Sequence, residues 1–307
     1  MPGIIAILIA NLIWGAAPPI FKFGLQDIPP FTLAFIRFFG AGLIFLPFAL
    51  KYHKPLNGDQ LKNITLGGIW GISINIAFFF AGLPLAPSIN VHIISALGPL
   101  VLYILSLALL KEKPHSEVLK GIMLSLVGVC VIVFAPLIRG QISAAPALAV
   151  GPMLMGNLFF ALSMLGAVMI TIYTKKIKPE VHPLVLTTYQ FFIGSIPFIP
   201  FMLRELQTWS FTQLTPENWL VVGYGMILSS GVAYVAHNYA VTRLTAQEIG
   251  VFTYMMPVVA VLVAIPLLGE YPDMFFVIGA ICVIIGMIFS QRHPHYREVR
   301  KKLKKKK

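Results

Sequence analysis

The chain has 307 residues, of which 58% are hydrophobic and only 11% are charged, and its mean hydropathy is +0.85. This composition excludes an ordinary soluble globular protein and is typical of a membrane protein. The formal net charge of +12 comes largely from the C-terminal tail. Because that tail has no interleaved aromatic residues and follows no nucleic-acid-binding fold, no nucleic-acid partner is expected.

Ten apolar stretches that are long enough to cross a bilayer follow one another along the chain. A transmembrane helix needs roughly 20 mostly apolar residues to cross a hydrocarbon core of about 30 Å. The stretches lie at about 4–24, 31–50, 62–82, 90–110, 119–137, 148–173, 183–203, 218–241, 248–268 and 274–291. The first lacks a basic leader and a small-residue cleavage site, so it is interpreted as helix 1. The sequence predicts an all-α integral membrane protein with ten transmembrane helices and no soluble catalytic domain.

The second half of the chain repeats the first. A shift of 158 positions places Pro99, Glu112, Gly121 and Gly128 on Pro257, Glu270, Gly279 and Gly286. Since each copy holds an odd number of spans, five, the second copy must lie upside down in the bilayer. Inverted repeats of this kind build many alternating-access carriers. The predicted units are two inverted five-helix repeats, 1–140 and 146–292, followed by a basic tail at 293–307.

Lys and Arg lie almost entirely on one side of this topology. With the N-terminus in the cytoplasm, the inner connections and the C-terminal tail hold 19 of the 23 Lys and Arg residues. This bias follows the positive-inside rule and predicts that both the N- and C-termini are cytoplasmic. The tail itself is interpreted either as a topology determinant without a partner or as a contact for anionic lipids of the bilayer.

Several of these features together resemble the drug/metabolite transporter superfamily, and within it the EamA-type carriers with ten spans. The resemblance rests on NLIWGAAPPIFKFGL in helix 1, on the run from Pro29 to Arg37 that enters helix 2, and on the repeated Pro…Glu and Gly-x6-Gly spacings. It covers the chain to about residue 291. It implies a basket of helices 1–4 and 6–9 around a central cavity, with helices 5 and 10 at the periphery. It also implies transport of small metabolites, often amino acids or related solutes, commonly outward across a bacterial inner membrane.

Polar residues at helical spacing within the spans predict a substrate-binding cavity. Such groups are costly in a bilayer unless they face a partner or a wet cavity, although hydrogen bonding between helices is an alternative explanation. Pro99 and Pro257 would interrupt corresponding helices near the midplane, either to shape the cavity or only to bend the helix. The candidate substrate-binding residues are Asn11, Trp14, Lys22, Arg37, Asn75, His92, Pro99, Tyr103, Asn157, Tyr189, Gln190, Tyr234, His237, Tyr254 and Pro257.

Charged residues within the predicted spans are few. Arg37 lies about 9 Å along helix 2 from its outer end, and Lys22 lies near the same face of the membrane. Asp27 is the local partner for either cation, so a structural clamp and the attraction of an anionic or zwitterionic group both remain open. No Asp or Glu lies in the middle of a predicted span, which argues against a carboxylate proton relay. His92 and His237 remain as candidates for proton coupling.

The predicted function is a secondary transporter of small organic metabolites. The sequence has no zinc-binding motif, aspartate dyad or nucleophile–base pair, so no enzyme activity, catalytic residue, metal or cofactor is expected. Cys130 and Cys282 lie in apolar stretches and are interpreted as small hydrophobic side chains. We expect export of amino acids or related solutes across the cytoplasmic membrane of a prokaryote by alternating access. The alternative is a non-transporting membrane receptor or scaffold, whose polar stripes would be packed shut.

Overall fold

The structure, a computed structural model, describes residues 2–82, 85, 94–138, 150–177, 181–256, 258–259, 262 and 274–290. Within these residues the chain forms ten helices in succession. They are α1 (Pro2–Gly24), α2 (Pro30–Lys51), α3 (Gly58–Gly82), α4 (Gly98–Leu109), α5 (Ser116–Ile138), α6 (Val150–Lys176), α7 (Pro183–Glu205), α8 (Pro216–Val241), α9 (Ala246–Thr253) and α10 (Met274–Ser290). The short turn Phe211–Gln213 is a 3-10 helix, and another 3-10 turn, Ile196–Phe198, lies within α7.

The predicted all-α membrane fold is confirmed. Among the described residues, five helices are long and apolar enough to cross a membrane, namely α2, α3, α7, α8 and the part of α6 from Leu154 to Lys176. Shorter apolar helices lie within α1, α4 and α10. The helices follow the predicted spans in order, but α9 ends at Thr253 rather than near residue 268, and α4 begins at Gly98 rather than near residue 90. The regular helix therefore starts beside Pro99, as expected for a residue that cannot continue a preceding helix.

Local sequence signals set several helix starts. Pro30 and Pro183 occupy the first turns of α2 and α7, where a missing backbone N–H leaves no hydrogen bond unmade. Thr245 and Glu248 form a capping box at the start of α9. The Glu112 carboxylate, just after α4, accepts two further backbone N–H groups of α9 at 2.9 and 3.4 Å. Because a carboxylate suits the positive end of a helix dipole, Glu112 holds the start of α9 against the end of α4.

Helices α5 and α10 run antiparallel and approach closely through glycines. A Cβ atom added at Gly121 would lie 2.6 Å from the carbonyl oxygen of Gly286, and one added at Gly128 would lie 2.6 Å from that of Gly279. Small residues allow membrane helices to come this close. The shift of 158 positions exchanges the two glycine pairs, as expected where equivalent helices of inverted repeats meet. The boundaries 1–140, 146–292 and 293–307 stay predictions.

Two helices contain a π-helical segment at equivalent positions. The segment is Ile69–Ile74 in α3 and Tyr224–Val232 in α8, and the repeat shift places the first on 227–232. A Cβ atom at Gly166 of α6 would lie 2.5 Å from the carbonyl oxygen of Trp70 in the first segment. Such segments expose backbone carbonyl groups that a regular α-helix would bond, and they are frequent at functional sites.

Candidate functional site

Buried polar and aromatic side chains form a continuous group around α8. We call this group the polar column. Its members are Trp14, Arg37, Thr171, Thr187, Gln190, Ser229, Ser230, Tyr234, His237 and Asn238. Every member except the half-buried Trp14 is buried. From Ser230 to Asn238 the column extends about 12 Å along the helix axis, so it crosses a large part of a membrane-spanning helix.

The guanidinium of Arg37 lies at one end of the polar column, against the π-helical segment of α8. Its Nε donates a hydrogen bond to Ser230 Oγ at 3.2 Å, and its Nη2 donates to Ser229 Oγ at 3.1 Å. The guanidinium carbon also lies 4.4 Å from the ring centroid of Phe21 and 4.6 Å from that of Phe38. Arg37 is thus held by neutral hydroxyl groups and by aromatic faces that favour a cation.

The expected contact between Asp27 and Arg37 does not form. The Asp27 carboxylate accepts a hydrogen bond from Asn218 Nδ2 at 3.1 Å, and its backbone carbonyl accepts one from Trp209 Nε1 at 2.8 Å. The Glu205 carboxylate accepts the first backbone N–H groups of α2 at 2.7 and 3.1 Å. These bonds join the α1–α2 connection to the region between α7 and α8, so the described residues of these two connections pack together at the predicted outer end.

An aromatic cluster forms the middle of the polar column. The ring of Trp14 lies 5.0 Å from that of Tyr234 and 5.3 Å from that of His237. Trp14 Nε1 donates to the backbone carbonyl of Ser229 at 2.9 Å, so Trp14 and Arg37 bind the same residue of the π-helical segment. His237 Nε2 lies 3.3 Å from Thr171 Oγ1, which connects the cluster to α6.

An amide network forms the other end of the polar column. Asn238 Nδ2 donates to Thr187 Oγ1 at 2.8 Å and to Gln190 Oε1 at 3.0 Å. Gln190 Nε2 in turn donates to Thr174 Oγ1 at 3.2 Å. The network therefore joins α6, α7 and α8 through side chains alone.

Three buried polar atoms in or beside the polar column have no hydrogen-bond partner among the described residues. They are His237 Nδ1, Asn238 Oδ1 and Thr188 Oγ1. A buried polar group that makes no hydrogen bond costs about 1–3 kcal/mol, and native proteins leave few of them. Asn11 Oδ1, Asn218 Oδ1 and Gln247 Oε1 share this property outside the column, and only the atoms of the column itself are candidate contacts for a polar solute.

A cavity of about 660 Å³ opens at the end of the bundle nearer to Asn238, where α2 and α8 end and α7 begins. We call it the basic vestibule. Its lining includes Lys51, Tyr52, His53, Lys54, His182 and Arg243. The rings of Tyr52 and His182 stack at 4.1 Å, and His53 Nε2 lies 3.1 Å from the hydroxyl of Tyr189. Burial lowers the pKa of His182. In the predicted topology this end faces the cytoplasm.

The structure brings together part of the predicted site. Trp14, Arg37, Gln190, Tyr234 and His237 belong to the polar column, and Tyr189 adjoins the basic vestibule through His53. Asn11, Pro99, Tyr103 and Tyr254 are buried elsewhere, on α1, on α4 and at the end of α9. Asn11 Nδ2 donates to the Phe252 carbonyl at 2.7 Å, while the backbone of Pro99 packs against Gly250.

The remaining predicted residues lie at other places. Asn75 accepts a hydrogen bond from Ser163 at 2.8 Å between α3 and α6, and Asn157 is half-buried on α6. His92, Pro257 and the side chain of Lys22 lie outside the described part of the chain.

The predicted set omitted several members of the polar column and the basic residues of the vestibule. Thr171 and Thr187 were detectable in principle, because each lies three residues before another network member, Thr174 and Gln190. This spacing places both residues of a pair on one helix face. The vestibule cations were interpreted only as determinants of topology, since they lie in short connections.

Comparisons with known proteins agree with this fold. The model of the EamA-like transporter family matches residues 1–134 and 154–291. An uncharacterized transporter of Archaeoglobus fulgidus is 28% identical over 291 residues, which cover 92% of this chain and 95% of that protein. The uncharacterized transporter YetK of Bacillus subtilis is 25% identical, with 94% of this chain and 87% of that protein covered. One crystal structure superposes with a TM-score of 0.78 at 19% identity, over 94% of this chain and 98% of the other. That last similarity shows the fold alone.

Proposed function

We propose that this chain, which belongs to the EamA-like transporter family, moves small organic metabolites by alternating access. It is an integral protein of the cytoplasmic membrane. The proposed solutes are amino acids or related compounds, and the proposed direction is export. In secondary carriers of this kind, a central site is exposed to the two sides of the membrane in turn.

The observation that carries the proposal is the polar column, which adjoins the basic vestibule at one end. Thr242, which lines the vestibule, lies one helical turn from Asn238 on α8. Buried polar groups within a membrane are expensive and mark solute pathways. The unpartnered Nδ1 of His237 and Oδ1 of Asn238 lie in this column, where they would form hydrogen bonds with the ammonium or hydroxyl groups of a solute.

The described residues at the two ends of the bundle are packed differently, and this difference supports the proposal of alternating access. At one end, Asp27, Trp209 and Asn218 form hydrogen bonds across the packed connections. At the other end, the basic vestibule is open between α2, α7 and α8. In the proposed topology this state faces the cytoplasm and is ready to receive a solute for export.

Counterflow in proteoliposomes tests the proposed transport. Purified protein is reconstituted, the vesicles are loaded with one unlabelled metabolite at a time, and entry of the radiolabelled compound is followed across a panel of amino acids and related metabolites. We expect saturable exchange of one class. Trp14→Leu should abolish it, because this change removes the ring cluster and the bond to Ser229. Trp219→Leu is the matched control, since Trp219 is 56% exposed on the outside of α8. If folded protein exchanges none of the compounds in the panel, a non-transporting receptor or scaffold is favoured.

A further inference from the structure

Arg37 is a buried cation that has no carboxylate partner among the described residues. It is only 5% exposed, and its polar contacts are the hydroxyl groups of Ser229 and Ser230. The two carboxylates at the start of α2 have other partners, because Asp27 accepts a hydrogen bond from Asn218 and Glu205 caps α2. In the part of the chain that the structure describes, the one ion pair joins Lys120 and Glu117 on α5.

An unpaired guanidinium is a costly group inside a membrane protein. Buried charges are normally paired, and those within spans are usually functional. Hydroxyl dipoles and aromatic faces lower the cost for Arg37, but they carry no negative charge. The bonds to Ser229 and Ser230 also use only two of the five N–H donors of a guanidinium. The remaining donors suit the two oxygens of a carboxylate or phosphate group. The missing negative charge can therefore arrive with the solute.

The basic vestibule favours the same sign of charge. Lys51, Lys54 and Arg243 line its mouth, and its described lining contains no carboxylate. Cations around a cleft raise the local concentration of anions and speed their entry. The positive-inside rule accounts for cations in a cytoplasmic connection. It does not account for Arg37, which lies within a span.

We propose that the transported solute is an organic anion, such as an acidic amino acid or an organic acid, whose negatively charged group pairs with Arg37 in the polar column. The vestibule cations attract this anion, and the aromatic cluster of Trp14 and Tyr234 contacts its carbon skeleton. The inference rests on the proposed transport function and narrows it to one class of solute.

Counterflow with probes of different charge tests the proposal. The probes are radiolabelled glutamate and succinate as anions, alanine and phenylalanine as zwitterions, and putrescine as a cation. Wild-type protein should exchange an anion at least about tenfold faster than the other classes, as expected when a charged hydrogen bond is lost with the wrong solute. Selective exchange of alanine, phenylalanine or putrescine would overturn the anion assignment while leaving the transporter assignment intact. Absence of exchange with every probe, by folded protein, would count against transport itself and so against both.

Variants of Arg37 test its role directly. Arg37→Gln should lower anion exchange about tenfold or more, whereas Arg37→Lys should keep part of it, because lysine retains the charge but not the planar fork. Lys120→Gln is the matched control, since it also removes one cation but lies in an exposed pair that contributes little. Unchanged anion exchange by folded Arg37→Gln would assign Arg37 a structural role and overturn the proposal. If Arg37→Gln fails to fold, the proposal is judged from the wild type and Arg37→Lys. Both should prefer anionic probes, and Arg37→Lys should exchange them more slowly.

The lipid composition of the vesicles separates a free solute from a lipid headgroup. Exchange is measured in phosphatidylcholine alone and after addition of phosphatidylglycerol, which offers the same phosphate chemistry from the bilayer. Equal anion exchange in both supports a free solute. Exchange that is abolished by phosphatidylglycerol would show that the basic groups bind lipid, and would overturn the proposal.

Discussion

Asn238 connects three helices of the site through a single side chain. Its Nδ2 group bonds both Thr187 and Gln190 on α7, and Gln190 continues the network to Thr174 on α6. Its Oδ1 atom, by contrast, has no partner among the described residues. In the proposed site this open acceptor would bind the solute, so Asn238 would have two separable roles, one in helix packing and one in binding.

Replacing Asn238 separates these two roles. We expect Asn238→Leu to reduce unfolding stability by only about 1 kcal/mol, because interhelical hydrogen bonds in membrane proteins average about 0.6 kcal/mol each. Counterflow should fall far more, about tenfold or beyond, because a solute loses its acceptor. Thermal unfolding in detergent and counterflow are measured on the same preparation. Ser106→Ala is the control, since Ser106 is buried but bonds only the Tyr103 carbonyl of its own helix. Full exchange by Asn238→Leu would leave Asn238 a packing residue.

We expect His182 to make stability depend on pH at the basic vestibule. Its Nδ1 accepts the backbone N–H of Leu184 at 3.3 Å at the start of α7, and burial lowers its pKa below the ordinary value of 6.5. Because the unfolded chain then binds more protons, the contribution to stability is complete above pH 6.5 and is lost as the pH falls through the lower, folded pKa.

The variant His182→Asn should flatten this dependence. Asparagine keeps an acceptor suited to the helix start but does not titrate. We expect the melting temperature of the wild type to fall more than that of the variant when the pH is lowered from about 7.5 to about 5.5. The effect should be small, since the ring is half-buried. An equal fall in the melting temperature of the wild type and of the variant would show that another group controls the response.

At the level of single helices, the π-helical segment of α3 depends on a close approach by α6. A Cβ atom at Gly166 would lie 2.5 Å from the Trp70 carbonyl oxygen and 2.9 Å from the backbone nitrogen of Asn75. Backbone atoms cannot move aside as a flexible side chain can, so the two helices would have to separate. We expect Gly166→Ala to destabilise the fold by about 1–3 kcal/mol, as overpacking does elsewhere.

The control for this prediction is Gly223→Ala. Gly223 lies directly before the π-helical segment of α8, and a Cβ atom there would meet no neighbouring heavy atom within 4 Å. The change should be neutral or stabilising by up to about 1 kcal/mol, since alanine is the better helix former. Unfolding of both variants in detergent gives the comparison. Equal stability of the two variants would show that the α3–α6 contact can relax.

The elements of this fold were more predictable than its contacts. Each span can be predicted from the sequence, because about 20 apolar residues are needed to cross a bilayer. The prolines at the starts of α2 and α7 locate those two helix ends within a residue or two. The π-helical segments had no such signal, since they depend on how neighbouring helices pack. The predicted polar stripes include Tyr234 and His237, which are buried in the polar column. They did not separate Thr187, which contacts Asn238, from serines such as Ser195, which bond their own helix.

At the scale of the whole molecule, the contact between α5 and α10 follows the sequence repeat. Gly121 and Gly128 meet Gly286 and Gly279, and the repeat shift exchanges one contact with the other. The family model likewise matches the chain in two segments. The described parts of the two ends are nevertheless not alike, because hydrogen bonds join Asp27 to Trp209 and Asn218 at one end, while the basic vestibule opens at the other. If the proposed alternating access holds, the inverted repeat provides for a second state that opens at the opposite end.

The orientation of that asymmetry can be measured with single cysteines. The background replaces Cys130 and Cys282 by alanine, and cysteine is introduced either as Lys54→Cys in the vestibule or as Thr212→Cys at the opposite end, both at exposed positions. The excess of Lys and Arg on the vestibule side predicts that this side is cytoplasmic. A membrane-impermeant maleimide should therefore label Thr212→Cys in intact cells, and Lys54→Cys only in inside-out vesicles. The reverse pattern would place the vestibule outside and turn the proposed export into uptake through the same state.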